Sequence, residues 1–280
     1  MKPVALLTSR ELKDLIPDEL HLVSALASIS LTSQPVIWNE ETNWAQYSAV
    51  IIRNPWDYFE HQEEFFAVLA KINKETKLFN PYSLVKWNLD KNYLFDLKNK
   101  GGELPPTIKV TSKMELLNAI THSSFDELVI KPLISAGAYL TYRFNKNNTP
   151  MEVLNLPVDK YEFMIQPFLP DIQTEGEYSF IFLAGKFSHA IVKKPKTGDF
   201  RVQSEFGGTV TPYEPSPAEL KLGEFIFSIL PEIPLYARID LARYEGNLKI
   251  MEVELLEPEL FFRIKPEAAL TMAKEVKLKL

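Results

Sequence analysis

Four short apolar runs punctuate the first 80 residues, at 4–7, 35–38, 49–52 and 77–80. Between them lie two stretches with helical spacing. Residues 19–29 place Leu20, Val23, Leu26 and Ala27 on one face, and residues 60–72 repeat the pattern. A parallel strand pair needs a crossover, and a crossover helix lands on a sheet face. The alternation therefore predicts a small parallel sheet covered on both faces.

Asn80–Pro81 signals a turn, and the pattern then changes. Helices are expected over 90–99, stopped by Gly101–Gly102, and over 112–121, where Ser112 and Glu115 have capping-box spacing. Strands are expected at 127–131 and 138–143, around a loop of small residues, and at 162–166, closed by Pro167. From Tyr178 onward strand signals dominate. Residues 178–184 and 186–192 flank Gly185 as a hairpin, and 236–243 and 248–255 flank Glu245, Gly246 and Asn247 as a second. Helices are expected at 217–230 and 266–279. The fold class is thus α/β and α+β. A small N-terminal parallel-sheet domain (1–84) is followed by a central subdomain (85–166) and a C-terminal subdomain (167–280), with 166–169 as the joint.

Composition narrows the function. The 280 residues carry 31 Lys and Arg against 37 Asp and Glu, a formal net charge of −6. Phosphate neutralisation needs a basic surface, so a nucleic-acid partner is not expected. Zero cysteines exclude disulfides, thiolate nucleophiles and thiolate metal sites, and fit a reducing compartment. The four histidines, at 21, 61, 122 and 189, form no local two-His metal motif. The apolar run at 4–7 is too short for an export signal, and no run reaches membrane-spanning length. A cytoplasmic protein is the expectation, with no membrane partner. Oligomeric state is left open, a dimer being the alternative to a monomer.

The second hairpin is the most informative stretch for chemistry. Glu252 and Glu254 are two apart on one strand and share a face. A three-residue turn on Glu245, Gly246 and Asn247 sets Asp240 opposite Glu252. Two carboxylates about 4 Å apart repel by roughly 4 kcal/mol at an effective dielectric near 20, and something must offset that. A divalent cation does so, and oxygen-only ligands favour Mg²⁺ or Mn²⁺ over zinc. Arg238, two residues before Asp240, projects to the same face. The alternative is a solvated, acidic outer strand face.

Other candidates lie upstream. Lys131 ends the apolar strand Leu128-Val129-Ile130, ahead of Ser135, Ala136, Gly137 and Ala138. A strand-end lysine beside small residues can hold a phosphate, the lysine as a point charge and the loop through its N–H groups. The loop has no GxxxxGK[ST] pattern, so it is not a P-loop. Lys91 starts the helix after Asp90 and can aim at the same phosphates. Gln166-Pro167-Phe168-Leu169 is an apolar joint that can hold a flat ring, with the Gln oxygen accepting from an exocyclic amine. Glu177, after Gly176, can accept ribose hydroxyls, and Arg201 lies in a polar stretch suited to a lid with a phosphate clamp. Arg53 follows the strand at 49–52, where open α/β sheets bind ligands. It can pair a substrate carboxylate bidentately with Trp56 as an apolar wall, or the segment is a capped turn with Trp56 in the core. Each feature alone is also what an ordinary surface or core residue looks like.

Their order is more specific. Lys131 with its small-residue loop, Gln166-Pro167-Phe168-Leu169, Gly176-Glu177, Arg201, Arg238-Ile239-Asp240 and Glu252-Val253-Glu254 together resemble the ATP-grasp superfamily over residues 80–280. The pattern is similar to its glutathione-synthetase-like branch, in particular the cycloserine-forming ligases. Arg53-Asn54-Pro55-Trp56-Asp57-Tyr58 resembles an Arg-x-x-Trp-Asp-Tyr stretch of that branch. The resemblance implies a two-subdomain ATP-grasp fold with ATP and Mg²⁺, or Mn²⁺, as cofactors. Lys91, Lys131, Ser135 and Gly137 would contact ATP phosphates, residues 166–169 adenine and Glu177 ribose. Asp240, Glu252 and Glu254 would bind the metal. Arg238 and Arg201 would stabilise the transferred phosphoryl group, and Arg53, Trp56 and Asp57 would face substrate. Two departures stand out: many relatives carry Asn where Glu254 stands, and the 135–138 loop is poor in glycine.

The implied reaction is ATP-dependent carboxylate–amine ligation through an acyl phosphate, releasing ADP and phosphate. Its small-molecule carboxylate and amine substrates would be amino-acid-like or peptide-like. The rivals are a small-molecule phosphotransferase on the same ATP site, a non-catalytic nucleotide-binding module, and a metal-dependent hydrolase that leaves the lysines and the joint without a role.

Overall fold

The computed structural model describes residues 2–135, 139–196 and 207–280. Its first strand, β1 (Val4–Thr8), divides by parity. Val4 and Leu6 enter one core and Ala5 and Leu7 another, because successive side chains point to opposite faces. Joined by β2 (Ser33–Ile37), β3 (Ala49–Asn54) and β4 (Lys77–Phe79), β1 forms a parallel sheet in the order β2-β1-β3-β4. Helix α1 (Leu20–Ser28) covers one face and α2 (Gln62–Glu75) the other. The second strand starts two residues earlier than its apolar run. It is an edge strand, so half-buried Ser33 and exposed Gln34 pair with β1, and Pro35 is tolerated there.

The helix expected over 90–99 forms from Tyr93 onward, and a helix not foreseen precedes it: α3 (Tyr82–Leu89), then α4 (Tyr93–Asn99). Both pack on the third sheet, with Leu84, Tyr93, Leu94 and Leu97 in one core with Phe180, Ile239 and Val253. The middle sheet holds β5 (Ile108–Val110), β6 (Glu127–Pro132), β7 (Tyr142–Asn145) and β8 (Phe163–Pro167) in the antiparallel order β5-β8-β6-β7. With α5 (Lys113–Thr121) and the short α6 (Met151–Leu154) it encloses its own core around Leu116, Leu128, Ile130 and Phe163. Ser112 caps α5 by accepting from the Glu115 N–H. The Glu115 carboxylate accepts from the Thr111 N–H at 2.7 Å, one residue before the expected partner.

The third sheet follows the one-turn α7 (Asp171–Thr174). It comprises β9 (Glu177–Leu183), β10 (Lys186–Lys194), β11 (Thr209–Tyr213), β12 (Tyr236–Tyr244) and β13 (Asn247–Glu254) in the antiparallel order β11-β10-β9-β12-β13. Helix α8 (Pro217–Ser228) starts on a full capping box of Ser216 and Glu219. The C-terminal α9 (Pro266–Lys279) returns to α1, so Met272 and Val276 share a core with Val4 of β1 and Leu26 of α1. Among the described residues no helix is long and apolar enough to cross a membrane.

Strand β13 lies at the sheet edge, where unpaired backbone groups invite misassembly. Side chains cover it. Asn88 donates to Val253 O at 2.7 Å and accepts from Leu255 N–H at 2.7 Å, while the Tyr93 hydroxyl accepts from Val253 N–H at 2.9 Å. Asn80 donates to Leu255 O at 2.8 Å and Tyr236 O at 2.9 Å, and accepts from Leu235 N–H at 2.6 Å. Asn88→Ala strands a buried C=O and a buried N–H, each costing about 1–3 kcal/mol. The urea midpoint should fall by the equivalent of about 2–4 kcal/mol, with a smaller loss for Asn88→Asp, which keeps the acceptor.

Candidate active site

The hairpin register does bring Asp240 opposite Glu252, but by a different device from the three-residue turn expected. Tyr244 pairs with Asn247 across a two-residue turn, with Glu245 at φ 51° and Gly246 at φ 79°. That turn alone would set Asp240 against Met251. The pairing shifts between Leu241 and Asp240, leaving Met251 as a bulge, and beyond it Asp240 faces Glu252 and Arg238 faces Glu254.

The face so formed is crowded with charge. Asp240 is buried and accepts from Ser179 Oγ at 2.5 Å, Lys193 Nζ at 3.2 Å, and Arg238 Nε and Nη2 at 3.0 Å each. Arg238 also bonds Glu254. Lys91 Nζ lies 3.2 Å from Glu252 Oε1 and donates to Ser135 O at 2.9 Å. Lys193 Nζ lies 2.6 Å from Glu177 Oε1. Lys131 has no ion pair among the described residues; burial and the nearby Lys91 depress its pKa, against the pull of Glu252. Carboxylate repulsion is thus offset within the chain by Arg238, Lys91 and Lys193. Among the described residues no three acidic or imidazole groups converge on one metal position, since Arg238 stands between Asp240 and Glu254.

Burial opposes ionisation of Asp240, but Arg238 and Lys193 outweigh it and hold the carboxyl down to about 2. Glu254 goes the other way. Burial, with Glu252 and Asp240 beside it, overrides Arg238 and pushes it up to about 8. A carboxylate so placed lacks positive charge, and this oxygen-only donor set fits a hard divalent ion.

Lys193 and Ser179 escaped the sequence reading. Lys193 ends the apolar run Ala190-Ile191-Val192, the same signal that singles out Lys131. Gly176 explains how Glu177 reaches it. At φ 106°, a Cβ there would lie 2.5 Å from Lys193 O. Only glycine lets the two backbones approach so closely.

The joint is ordered. Gln166 Nε2 donates to Thr107 Oγ1 at 2.8 Å, and Phe168 N–H donates to Glu127 O at 2.9 Å. The Arg143 guanidinium lies 3.6 Å from the centre of the Phe168 ring, and Leu169 is buried beside Pro167. Gly137 and Arg201 lie outside the described residues.

Arg53 requires a correction. It is fully buried, with Nη2 at 2.5 Å from Glu19 Oε1 and 2.8 Å from Pro258 O, and its guanidinium lies 5.0 Å from the centre of the Tyr236 ring. A buried guanidinium takes the nearest carboxylate, so Arg53 presents no free edge to a substrate. Asp57 is half-buried and accepts from Trp38 Nε1 at 2.6 Å. Trp56 is half-buried and donates to Glu257 O at 3.3 Å.

These contacts converge on a strap, residues 257–263, that follows β13 and borders the charged face. Asp18 accepts from Phe262 N–H at 2.8 Å and Arg263 N–H at 2.7 Å. His189 Nε2 lies 3.0 Å from Leu260 O, and Arg238 Nη1 is 3.3 Å from Glu259 O. A carbonyl only accepts, so His189 carries a proton on Nε2. Burial depresses its pKa to about 4, despite the hydrogen bond to Leu260. The unfolded chain, near 6.5, then binds the proton first. Stability is complete above about pH 6.5 and falls as pH drops toward 4, by roughly 3 kcal/mol in all. Thermal unfolding of the parent and of His189→Gln between pH 7 and 4 checks this; the variant should show a flatter profile.

A model of the D-cycloserine synthetase DcsG N-terminal domain matches residues 4–80, and one of the prokaryotic glutathione synthetase ATP-grasp domain matches residues 95–265. The chain belongs to the ATP-grasp family. This ATP-grasp protein is 27% identical over 274 residues to the cycloserine biosynthesis protein DcsG of Streptomyces lavendulae, with 90% of each chain covered. It is 29% identical over 136 residues to the glutathione synthetase of Prochlorococcus marinus (strain MIT 9313), over 48% of this chain and 43% of that one. The crystal structure of D-cycloserine synthetase DcsG matches with a TM-score of 0.87 at 25% identity, over 99% of both chains. D-alanine–D-alanine ligase from Bacillus anthracis shares the fold, with a TM-score of 0.67 at 16% identity over 100% of this chain and 98% of that one. ATP-grasp proteins use ATP and divalent metal ions, and this one is an ADP-forming carboxylate–amine ligase.

Proposed function

We propose that the protein joins the carboxylate of an amino-acid-like substrate to an amine, with Mg²⁺ as the metal and an acyl phosphate as the intermediate. One observation carries the reading: Lys91, Lys131, Lys193 and Arg238 gather around Asp240, Glu252 and Glu254 on one sheet face. Cations in that number suit a triphosphate, and carboxylates among them suit its metal. Glu252 and Glu254 would hold Mg²⁺, with Asp240 joining as Arg238 turns to the phosphoryl group. When bound, the metal would neutralise phosphate charge.

The remaining steps fall to the chain. Lys91, Lys131 and the loop with Ser135 and Gly137 hold the phosphates. Gln166, Pro167, Phe168 and Leu169 line the adenine site, and Glu177 takes the ribose. The substrate carboxylate attacks the γ-phosphorus, and Arg238, with Arg201, meets the charge that develops in transfer. The amine then attacks the acyl carbon and phosphate leaves. Trp56 walls the cleft on the substrate side. We place the reaction in the cytoplasm, which the cysteine-free composition suits, on small-molecule partners rather than nucleic acid or membrane.

A panel of amino acids and amines, assayed with ATP and Mg²⁺, tests the reading. One pair should stimulate release of ADP and inorganic phosphate together with an amide. Phosphate retained on an acceptor would make the protein a phosphotransferase instead. Losing even an outer partner of a metal ligand typically costs 10–100-fold in metal affinity. Glu252→Gln should therefore raise the Mg²⁺ concentration at half-maximal rate by at least about 10-fold; an unchanged requirement removes Glu252 from the metal site.

A further inference from the structure

Among the described residues, the carboxylates of the charged face have cation partners, with one exception. Asp240 has Arg238 and Lys193, Glu252 has Lys91, Glu254 has Arg238 and Glu177 has Lys193. Glu257, three residues beyond Glu254 at the start of the strap, is half-buried, and the Tyr58 phenol is the neutral polar neighbour that acts on its carboxylate. It ion-pairs with no Lys, Arg or His among the described residues. Glu252, Lys91 and Arg238 all act on it electrostatically, so it stands near the same charged face.

The position is built. Trp56 Nε1 donates to Glu257 O, and Arg53 Nη2 holds Pro258 O at 2.8 Å. Tyr58 is buried among Trp38, Phe65 and Leu256, with its ring 4.9 Å from that of Phe65. The phenol thus aims the carboxylate from a rigid base. One neutral donor leaves most of a carboxylate's acceptor capacity, and all of its charge, available to a ligand.

We propose that Glu257, aimed by Tyr58, receives the α-ammonium of the amino-acid substrate whose carboxylate is activated. The inference rests on the ligase reading above and deepens it. Arg238 joins the two ends of the cleft, bonding Glu254 with Nη2 and Glu259 O of the strap with Nη1. In an α-amino acid the ammonium is only two bonds from the carboxyl carbon. A carboxyl group reacting beside Arg238 therefore brings its ammonium toward the strap. A primary ammonium has three donors and suits a carboxylate with open lone pairs. Burial, strengthened by Glu252, raises the Glu257 pKa to about 7 despite Tyr58, as expected of a carboxylate waiting for a cation.

The test uses the full-length enzyme with ATP, Mg²⁺ and hydroxylamine, an uncharged amine that reports any activated carboxylate as its hydroxamate. Amino acids are compared with their desamino counterparts, alanine with propionate and serine with 3-hydroxypropionate. The parent enzyme should favour the amino acid in kcat/KM. In Glu257→Gln, which keeps an acceptor for Tyr58, that preference should shrink by about 10²-fold, the range of one charge-assisted hydrogen bond. Tyr58→Phe should raise KM for the amino acid several-fold with kcat little changed, as a positioning role requires and a general loss of fold does not. An equal preference in the parent and Glu257→Gln overturns the proposal and leaves the ligase reading intact. Hydroxamate formation from no carboxylate at all overturns both.

Discussion

Arg238→Lys should lower kcat by about 10²–10³, the usual cost of one donor aimed at transition-state charge, with little change in KM for ATP. Lysine keeps the charge between Asp240 and Glu254, so the buried acids are not left bare, but it lacks the fork that reaches both carboxylates at once. Arg238→Ala would confound the reading, because it strands Asp240 in a buried site. The check is steady-state kinetics of ADP release beside calorimetric ATP affinity. A lysine variant with parental kcat removes Arg238 from the chemical step.

Arg53→Ala should be the most damaging single change to stability, costing about 3–5 kcal/mol, because it leaves Glu19 charged, buried and unpaired. Arg53→Met combined with Glu19→Gln should recover much of that loss, since removing both charges also removes their desolvation cost. Thermal midpoints of the single and double variants decide the matter. Had Arg53 held a substrate carboxylate, the single change would raise KM and leave the midpoint in place.

Arg53 also marks the limit of what local pattern reveals. An arginine at the carboxyl end of a parallel strand has the signature of a ligand site. Its partner, Glu19, is 34 residues away on the far side of a crossover. Nothing local announces that pairing. The parallel sheet was legible because both of its faces are buried and its strands read as unbroken apolar runs. Helix α9 was legible to the residue, with Pro266 marking its start. Helix α3 was not, because it divides its few apolar residues between two cores, Leu84 to one and Val85 to the other. The Asp240–Glu252 pairing was reached through a three-residue turn that does not form; the two-residue turn and the bulge at Met251 that restore it left no sign in composition. Glu257, Glu259 and Arg263 stood out as charges after the strand of Glu252 and Glu254, but the order of the strap that carries them was the least legible feature. The strap has no regular structure, and its order comes from side chains distant in sequence, among them Asp18, Arg53, Trp56 and His189.

Oxygen transfer tests the central claim most directly. The carboxylate that stimulates ADP release is prepared with ¹⁸O in its carboxyl group, and the inorganic phosphate formed in one turnover is analysed by mass. Attack of that carboxylate on the γ-phosphorus predicts one ¹⁸O in each phosphate released. Unlabelled phosphate, formed while amide accumulates, would contradict the acyl phosphate and the roles given to Arg238 and the lysines around it.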